Sequence, residues 1–507
     1  MKLSSLKKSL SKTTILVILI LAAATFLRLY NLKDTVEFLG DQGRDAIVVS
    51  QIFTERNFVF IGPVTSVGNM YLGPFYYYFM LPFLYLSYPS PMGPVYGVAL
   101  AGVISVMLIY KLGKDLVGTK PAMIASFFYT FCAVVIKYSR FSWNPNLMPL
   151  FSLILIWATW KAWKKNSVYW LLAAVCFSIL LQLHYVSLLS MAGFGIIWLI
   201  QLIELIKAKN KQKDIFKLIL MTLSSVLIVV TSAIPLLLFD YKHSWFNTRA
   251  FVDMFNSDKN FAQAENARSL FSVVKETHGR SMHILFEYTI GQHRTLNTML
   301  VITVLAIICY LLKTKQKNPY YSGLVVITSF LVTGIIGTSF YQHTVFVHYI
   351  SYLFPITFLC YGLVAEYLTK KKIGWILVLI FTGFFLKYNL PLIPLKSKGW
   401  TMVDTQRVSD TIAKRVKPGE KYNIVLLSET GDLEGQSYRY FLTTTETKPV
   451  KIEERGSVDT LFVINEDKKI KDVTTSEIYE IVVFPNKKVS EIYQVENGPE
   501  ITVLKRN

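Results

Sequence analysis

The stretch Gly40-Asp41-Gln42-Gly43-Arg44-Asp45-Ala46 follows closely on an apolar run, residues 13–30, that is long enough to cross a bilayer. If residues 41–55 form a helix, Asp41, Arg44 and Asp45 stand at positions i, i+3 and i+4 and share one face. Two carboxylates and a guanidinium on a rigid element at a membrane surface can perform acid–base chemistry on a molecule that the lipid delivers. The structural alternative is that Asp41 caps the helix and Arg44 pairs with Asp45 at the surface.

A second candidate group lies in the aromatic stretch at residues 137–146, which follows a later apolar run. Arg140 can hold an anionic lipid headgroup, and Asn144 and Asn146 can form hydrogen bonds to a sugar. The alternative is an ordinary interfacial belt of aromatic and polar side chains.

Two histidine-containing turns add further candidates. His184 lies between two apolar runs, and His348-Tyr349 follows the polar stretch Tyr341-Gln342-His343-Thr344. These side chains can reach a phosphate or a sugar, whereas the alternative is that each forms hydrogen bonds within the protein.

The composition determines the class of protein that positions these groups. The chain has 507 residues, of which 52% are hydrophobic, and long apolar runs recur along it, so we expect a polytopic α-helical membrane protein. The net charge of +20 is carried largely by lysines in short clusters between the runs, which indicates membrane orientation rather than nucleic-acid binding. The spacing of the four cysteines matches no zinc or redox motif and supports no disulfide.

The lysine clusters predict an N-terminus in the cytoplasm and a C-terminus outside. The segment 71–88 is rich in tyrosine and contains Pro74 and Pro82, so we interpret it as an interfacial helix on the outer surface; as a span it would place the next lysine clusters outside. The start of the chain also resembles a cleavable signal peptide ending near Ala22-Ala23-Ala24, but an uncleaved first helix is simpler, and both place residue 31 outside. The predicted spans are about eleven: 13–30, 94–112, 119–137, 147–163, 167–184, 186–206, 215–239, 295–312, 320–340, 349–368 and 373–392.

We therefore divide the chain into a membrane domain, residues 1–395, and an extracytoplasmic domain, residues 396–507. The membrane domain carries two long outer loops, 31–93 and 240–294. In the second domain, helices are expected at 401–416 and 434–441 and strands at 422–427, 460–464 and 478–484, which together predict a small α/β domain.

Several kinds of chemistry lack their motifs in this sequence. There is no P-loop, no Gly-x-Ser-x-Gly and no His-Glu-x-x-His, so ATP-driven, serine-hydrolase and zinc-protease functions are not expected. A divalent ion held by Asp41 and Asp45 is the one metal site that we consider.

The order of motifs resembles the GT-C superfamily of membrane glycosyltransferases, and within it the family 39 protein O-mannosyltransferases and the bacterial lipid A aminoarabinose transferases. The resemblance rests on the acidic helix start after the first span, on Gly73-Pro74-Phe75-Tyr76-Tyr77-Tyr78, on Lys111-Leu112-Gly113-Lys114 and on Arg140 followed by Asn144-Pro145-Asn146. It covers roughly residues 10–390 in layout. Relatives often have Asp-Glu where this chain has Asp41-Gln42, so a second carboxylate must come from Asp45 or be absent.

This resemblance implies an enzyme of the cell envelope in the plasma membrane. Its donor would be a polyprenyl-phosphate-linked hexose or pentose, and its acceptor a lipid, glycan or protein on the extracytoplasmic face. Asp41 would act as general base in an inverting transfer, with Asp45 as the second catalytic carboxylate. Arg44, Arg140 or His348 would stabilise the leaving phosphate, while Tyr76, Asn144, Asn146, His184 and Tyr349 complete the candidate binding residues. The alternatives from other classes are a transporter or flippase for lipid-linked sugars and a non-catalytic membrane scaffold.

Overall fold

The computed structural model describes residues 11–65, 70–208, 210–256, 270–314, 318–341, 344–467, 470, 472–484 and 486–506. Several predictions fall on residues outside these ranges: the lysines at positions 2, 7, 8, 209, 315 and 317, and the pair Gln342-His343.

The membrane domain is built from long apolar helices. Within the described ranges, eight helical segments are long and apolar enough to cross a bilayer: Lys12–Leu29, Met92–Val117, Tyr185–Lys207, Gln212–Lys242, Arg294–Lys313, Tyr321–Ser339, Val347–Leu368 and Lys372–Leu392. The predicted fold class, a polytopic helical membrane protein with a small C-terminal α/β domain, is confirmed.

The other three predicted spans are also helical, but each is shorter than a full crossing. Residues 119–137 form two helices, Thr119–Phe131 and Ala133–Tyr138, that meet at Cys132. The remaining two are Met148–Lys164 and Tyr169–Leu183. At about 1.5 Å of rise per residue, such helices fall short of the hydrocarbon thickness. The count of eleven spans therefore stays a prediction.

Contacts between turns divide the membrane domain into two faces as the lysine pattern predicts. On one face, Phe75 N donates to Gln182 Oε1 at 3.1 Å, and Tyr71 N donates to Asn247 Oδ1 at 2.5 Å. On the other face, Lys161 pairs with Asp115 at 3.2 Å. The predicted outer turns near residues 71–75, 182 and 247 thus lie together, while the orientation of that face relative to the cell stays a prediction.

Two helices of the first outer loop determine the position of the candidate site. The site helix, Gly40–Thr54, follows the short helix Leu32–Thr35. The aromatic helix, Phe75–Ser87, occupies most of the predicted interfacial segment. The described part of the second outer loop contains the α-helices Phe246–Asn256, Leu270–Met282 and Tyr288–Ile290 and the π-helix His283–Glu287. Among the described residues elsewhere in the membrane domain, 3₁₀ segments are formed by Asn144–Leu147, Tyr185–Leu189, Val347–Leu353 and Leu390–Leu392.

The C-terminal tail folds around a mixed four-stranded sheet of order β1-β2-β4-β3. Its strands are β1, Tyr422–Leu427; β2, Thr460–Asn465; β3, Lys487–Gln494; and β4, Glu500–Arg506. Strands β1 and β2 are parallel and buried, and alternate residues along them enter two separate apolar clusters, one on each face of the sheet. The remaining elements are Met402–Ala413, the docking helix Gln436–Thr443, Ile452–Ser457, Val473–Thr475 and Tyr479–Val482.

One strand prediction in the tail is wrong, and two strands were not predicted. Residues 478–484 contain the short helix Tyr479–Val482 instead of a strand. Of its apolar residues only Ile481 is buried, and an apolar run this short does not distinguish a helical turn from a strand. Strand β3 is largely exposed and rich in charge, so it carries no apolar signal.

The tail is packed tightly against the membrane domain. The docking helix lies against the site helix so closely that a Cβ at Gly43 would overlap the backbone carbonyl of Gln436 and lie 2.6 Å from Ser437 N. Met402 N donates to Val36 O at 2.9 Å, and the ring of Phe38 packs against Phe441 at a centroid distance of 5.4 Å. The tail therefore forms a fixed wall beside the start of the site helix.

We expect Gly43→Ala to destabilise this docking by about 1–3 kcal/mol, because the added methyl group meets backbone atoms that have no room to move. Limited proteolysis should cut the connection between the last spanning helix and the tail faster than in the wild type. The matched control is Gly195→Ala, where a Cβ would meet nothing within 4 Å. Equal proteolysis of both variants would show that the close packing at Gly43 is not required.

Candidate active site

The site helix presents Asp41, Arg44 and Asp45 on one face, as the spacing predicts. Arg44 Nη1 lies 2.9 Å from Asp41 Oδ1, and Arg44 Nη2 and Nε lie 2.8 and 3.0 Å from Asp45 Oδ1. The capping alternative is wrong, because Leu39 is the N-cap and no side chain caps the helix. One guanidinium therefore bridges two carboxylates.

The two carboxylates have very different surroundings. The side chain of Asp41 is 50% exposed, whereas that of Asp45 is 1% exposed. Burial raises the pKa of Asp45 to about 6, an effect that Arg44 partly offsets. Tyr77 OH donates to Asp45 Oδ1 at 3.3 Å, and Asp45 Oδ2 is buried without a hydrogen-bond partner. The Arg44–Asp45 pair is thus an interior pair and not the surface pair of the structural alternative.

Asp41 faces a cleft of about 1650 Å³ between the site helix and the C-terminal tail. One wall is the start of the site helix, residues 38–41 with Arg44. The opposite wall contains Trp400, Tyr438 and the loops that follow β1 and β2. Asp45 does not line this cleft. A molecule bound in the cleft would therefore contact Asp41 and Arg44 but not Asp45.

A second cluster gathers aromatic and histidine side chains from three separate turns. We call it the His–aromatic cluster: Tyr138, Phe141, Trp143, His184, Phe346, His348 and Tyr349. Ring centroids lie 4.6 Å apart for Trp143 and His348, 4.9 Å for His184 and Tyr349, and 5.9 Å for the two histidines. The structure therefore brings His184 together with the pair His348-Tyr349, which is distant from it in sequence, and adds Trp143.

The aromatic helix links the two clusters. Tyr76 OH lies 2.6 Å from Ser142 Oγ, next to Trp143, while the adjacent Tyr77 contacts Asp45. The predicted binding residue Tyr76 is fully buried and reaches the His–aromatic cluster only through Ser142. Tyr77, which sequence reasoning did not select, is the residue that contacts the acidic face.

Comparison with known proteins gives one family match and several structural neighbours. Residues 72–238 match the family model described as dolichyl-phosphate-mannose-protein mannosyltransferase. YkcB from Bacillus subtilis (strain 168), whose name assigns it provisionally as a mannosyltransferase, is 30% identical over 173 residues, which cover 33% of this chain and 24% of YkcB. The chain thus spans about a quarter of the length of that curated relative.

The solved structures match over nearly the whole chain. The structure of ArnT from Cupriavidus metallidurans bound to undecaprenyl phosphate has a TM-score of 0.59 at 11% identity and covers 96% of this chain and 97% of ArnT. The chain has the fold of the GT-C glycosyltransferases. AglB from Archaeoglobus fulgidus, an oligosaccharyltransferase in complex with an inhibitory peptide and a dolichol-phosphate, gives a TM-score of 0.51 at 11% identity, with 97% of this chain and 74% of AglB covered. The resemblance predicted from the sequence is confirmed.

Arg140 forms hydrogen bonds within the protein. It is 4% exposed, and its guanidinium donates to Leu27 O at 2.9 Å, to Tyr30 O at 3.0 Å and to Thr35 Oγ1 at 2.6 Å. These bonds satisfy carbonyl groups at the end of the first helix. The geometry therefore does not support the predicted contact between Arg140 and a lipid phosphate.

The two predicted sugar-binding asparagines also form hydrogen bonds within the protein. Asn144 Nδ2 donates to Leu183 O at 2.6 Å, and Asn146 Nδ2 donates to Phe141 O at 2.8 Å. Both bonds fix turns that carry members of the His–aromatic cluster. Asn144 and Asn146 thus position that cluster, a role that the sequence did not predict, and the geometry does not support their predicted contact with a sugar.

The divalent ion that we considered at Asp41 and Asp45 does not fit the side chains present. Asp41 and Asp45 both accept from Arg44, so their oxygens already face a cation. Across the described ranges, no group of three or more His, Cys, Asp or Glu side chains is arranged to hold a metal ion. The mechanism proposed below uses no metal.

Sequence reasoning missed the contribution of the tail. Asp432 lies beside Gly40, and its Oδ2 accepts from Gln436 N at 2.8 Å. Burial and the nearby carboxylates Glu434 and Asp41 raise the pKa of Asp432 to about 6, against the bond from Gln436. The sequence did contain a signal for a ligand-binding loop at this place. Gly431-Asp432-Leu433-Glu434-Gly435 follows a correctly predicted strand, and ligands bind at the carboxyl ends of parallel strands.

We expect Arg44→Gln to make stability depend on pH. Without the guanidinium, the pKa of buried Asp45 rises above its present value of about 6, so the folded state keeps a proton that the unfolded chain releases. The native state then binds more protons than the unfolded state, and stability falls as pH rises from about 6 to about 8, with a loss of about 3 kcal/mol at the upper end. Melting temperatures in detergent across this range measure the effect.

The double variant Arg44→Gln/Asp45→Asn is its control. It removes the titrating group, so its melting temperature should stay constant over the same pH range and exceed that of Arg44→Gln at about pH 8. A melting temperature of Arg44→Gln that stays constant over this pH range would show that the pKa of Asp45 does not depend on Arg44.

We expect Arg140→Gln to lower stability by about 2–3 kcal/mol, because buried carbonyl groups lose a charged donor. Its affinity for polyprenyl phosphate should equal that of the wild type, measured by titration of the purified protein. Reduced affinity for the lipid phosphate with an unchanged melting temperature would restore the ligand role predicted from the sequence.

Proposed function

We propose that this chain transfers a sugar from a polyprenyl-phosphate-linked donor to an acceptor on the extracytoplasmic face. The observation that carries the proposal is Asp41, a half-exposed carboxylate at the head of the site helix that faces the cleft. The GT-C fold, the mannosyltransferase family model and two structural neighbours solved with polyprenyl-type lipid phosphates support it. The sugar is a hexose or a pentose.

Asp41 is the proposed general base. Its Oδ1 is held by Arg44, which leaves Oδ2 free to accept the proton of the acceptor hydroxyl or amine. The acceptor atom attacks the anomeric carbon while the bond from that carbon to the phosphate oxygen breaks, so one displacement inverts the configuration. General-base catalysis of this kind contributes about 10²–10⁴-fold.

The leaving polyprenyl phosphate gains negative charge as the bond breaks. Arg44 stabilises that charge in our proposal, because its side chain stays 26% exposed while Asp45 holds it from behind. Asp45 is thus a positioning residue: it is buried and does not line the cleft. This assignment replaces the catalytic role that the sequence suggested for Asp45.

The His–aromatic cluster is the proposed contact for the donor headgroup. Val186 N donates to His184 Nδ1 at 3.2 Å, so the neutral ring carries its proton on Nε2 and can donate to a phosphate oxygen. His348, between Trp143 and Tyr349, is the second donor, and the aromatic rings offer faces for a sugar. Phe346 remains 54% exposed at the edge, where a lipid can approach.

The transporter and scaffold alternatives gain no specific support. The candidate polar groups gather at one face of the membrane domain, whereas a transporter would place its binding site near the bilayer centre. A scaffold would not need a half-exposed carboxylate fixed by an interior ion pair. A location in the plasma membrane with the C-terminal domain outside remains part of the proposal.

We expect Asp41→Asn to remain folded and to lose at least about 10²-fold in transfer rate, because the amide does not accept the acceptor proton. Release of free polyprenyl phosphate from a panel of polyprenyl-phosphate sugars measures the rate. Asp34→Asn, an equal charge change at an exposed position of the same loop, should keep full activity. Normal turnover by Asp41→Asn would remove Asp41 from the role of base.

A further inference from the structure

The cleft beside Asp41 is strongly acidic although the chain as a whole is basic. The charged side chains among its described lining residues are six carboxylates and one guanidinium: Asp41, Asp432, Glu434, Glu466, Glu496, Glu500 and Arg44. The net charge of the whole chain is +20. The cleft thus has the opposite sign to the protein that contains it, and it attracts cations.

The cleft lies at the part of the C-terminal domain where an α/β sheet generally binds ligands. The loop after β1 and the loop after β2 both line the cleft, and these two strands are parallel and adjacent. A crevice at the carboxyl ends of parallel strands is the general ligand site of such sheets. The turn between β3 and β4 adds Glu496 to the rim, and the first residue of β4 adds Glu500.

The donor is not the ligand that fills this cleft. Its negative phosphate meets the cleft only beside Arg44, because the six carboxylates of the lining repel it elsewhere. Its lipid tail also has to remain against the spanning helices, beside the His–aromatic cluster. The molecule that approaches Asp41 from the side of the C-terminal domain is therefore the acceptor.

We propose that the cleft binds the acceptor and selects one that carries protonated amines beside its reacting group. That the ligand is the acceptor rests on the proposed function. The preference for an amine-bearing ligand rests only on the residues that line the cleft. Lysine side chains of a peptide and free amino groups of a glucosamine glycan share this chemistry. Trp400, which is 37% exposed on the wall, supplies an apolar face against which either ligand can pack.

The first test measures binding without any donor. The probes are a fluorescent serine peptide with flanking lysines, the same peptide with acetylated lysines, a glucosamine oligomer and its N-acetylated form. We expect the charged member of at least one pair to bind about tenfold more tightly than its acetylated partner, and to weaken as salt is added. The pair that responds identifies the source of the amine.

The second test removes charge from the rim. Glu496→Gln/Glu500→Gln should raise the dissociation constant of the charged probe by about fivefold. In transfer assays it should raise KM for that acceptor and leave kcat unchanged, because neither side chain touches the reacting atoms. The matched control is Glu446→Gln/Glu477→Gln, two exposed carboxylates of the same domain away from the cleft, which should behave as wild type.

The outcomes separate this inference from the proposed function. Equal binding of charged and acetylated probes, or efficient transfer to a neutral acceptor with unchanged KM in the rim variant, overturns the amine preference and leaves the transferase intact. Selective binding of the charged probe without release of polyprenyl phosphate from any donor overturns the transferase and supports the cation-selective cleft.

Discussion

The close contact between the site helix and the docking helix at Gly43 determines where the cleft lies and how far Asp41 is exposed. Because no side chain separates the site helix from the docking helix, the sheet domain lies directly against the segment that carries Asp41. The cleft is bounded by both parts and would have no opposite wall without the tail. The half-exposed position of Asp41 and the acidic surroundings of the cleft both follow from this packing.

Arg44 provides the second constraint at the same place. It binds an exposed carboxylate on one side and a buried carboxylate on the other, so one guanidinium fixes the site helix to the interior while it orients Asp41 toward solvent. Burial of Asp45 is costly unless the pair is retained. The buried Arg44–Asp45 pair therefore lies behind the reacting surface, where it fixes the position of Arg44 beside Asp41.

Local patterns predicted the elements of this fold but not the tertiary contacts between them. The spacing of Asp41, Arg44 and Asp45 predicted their shared face, and apolar runs predicted β1 and β2 almost to the residue. The burial of Asp45 and its contact with Tyr77 depend on long-range packing. Arg140 was interpreted as a ligand because a lone guanidinium among aromatic residues looks the same in sequence whether it binds a phosphate or backbone carbonyls.

The bonds of Arg140 also bear on how the protein is made. The carbonyl groups at the end of the first helix receive their partner only from a residue more than a hundred positions later. During synthesis the first helix therefore emerges long before the carbonyl groups at its C-terminal end have their hydrogen-bond donor. That end is fixed only after the third predicted span has emerged, so assembly of this face depends on the order in which the segments are made.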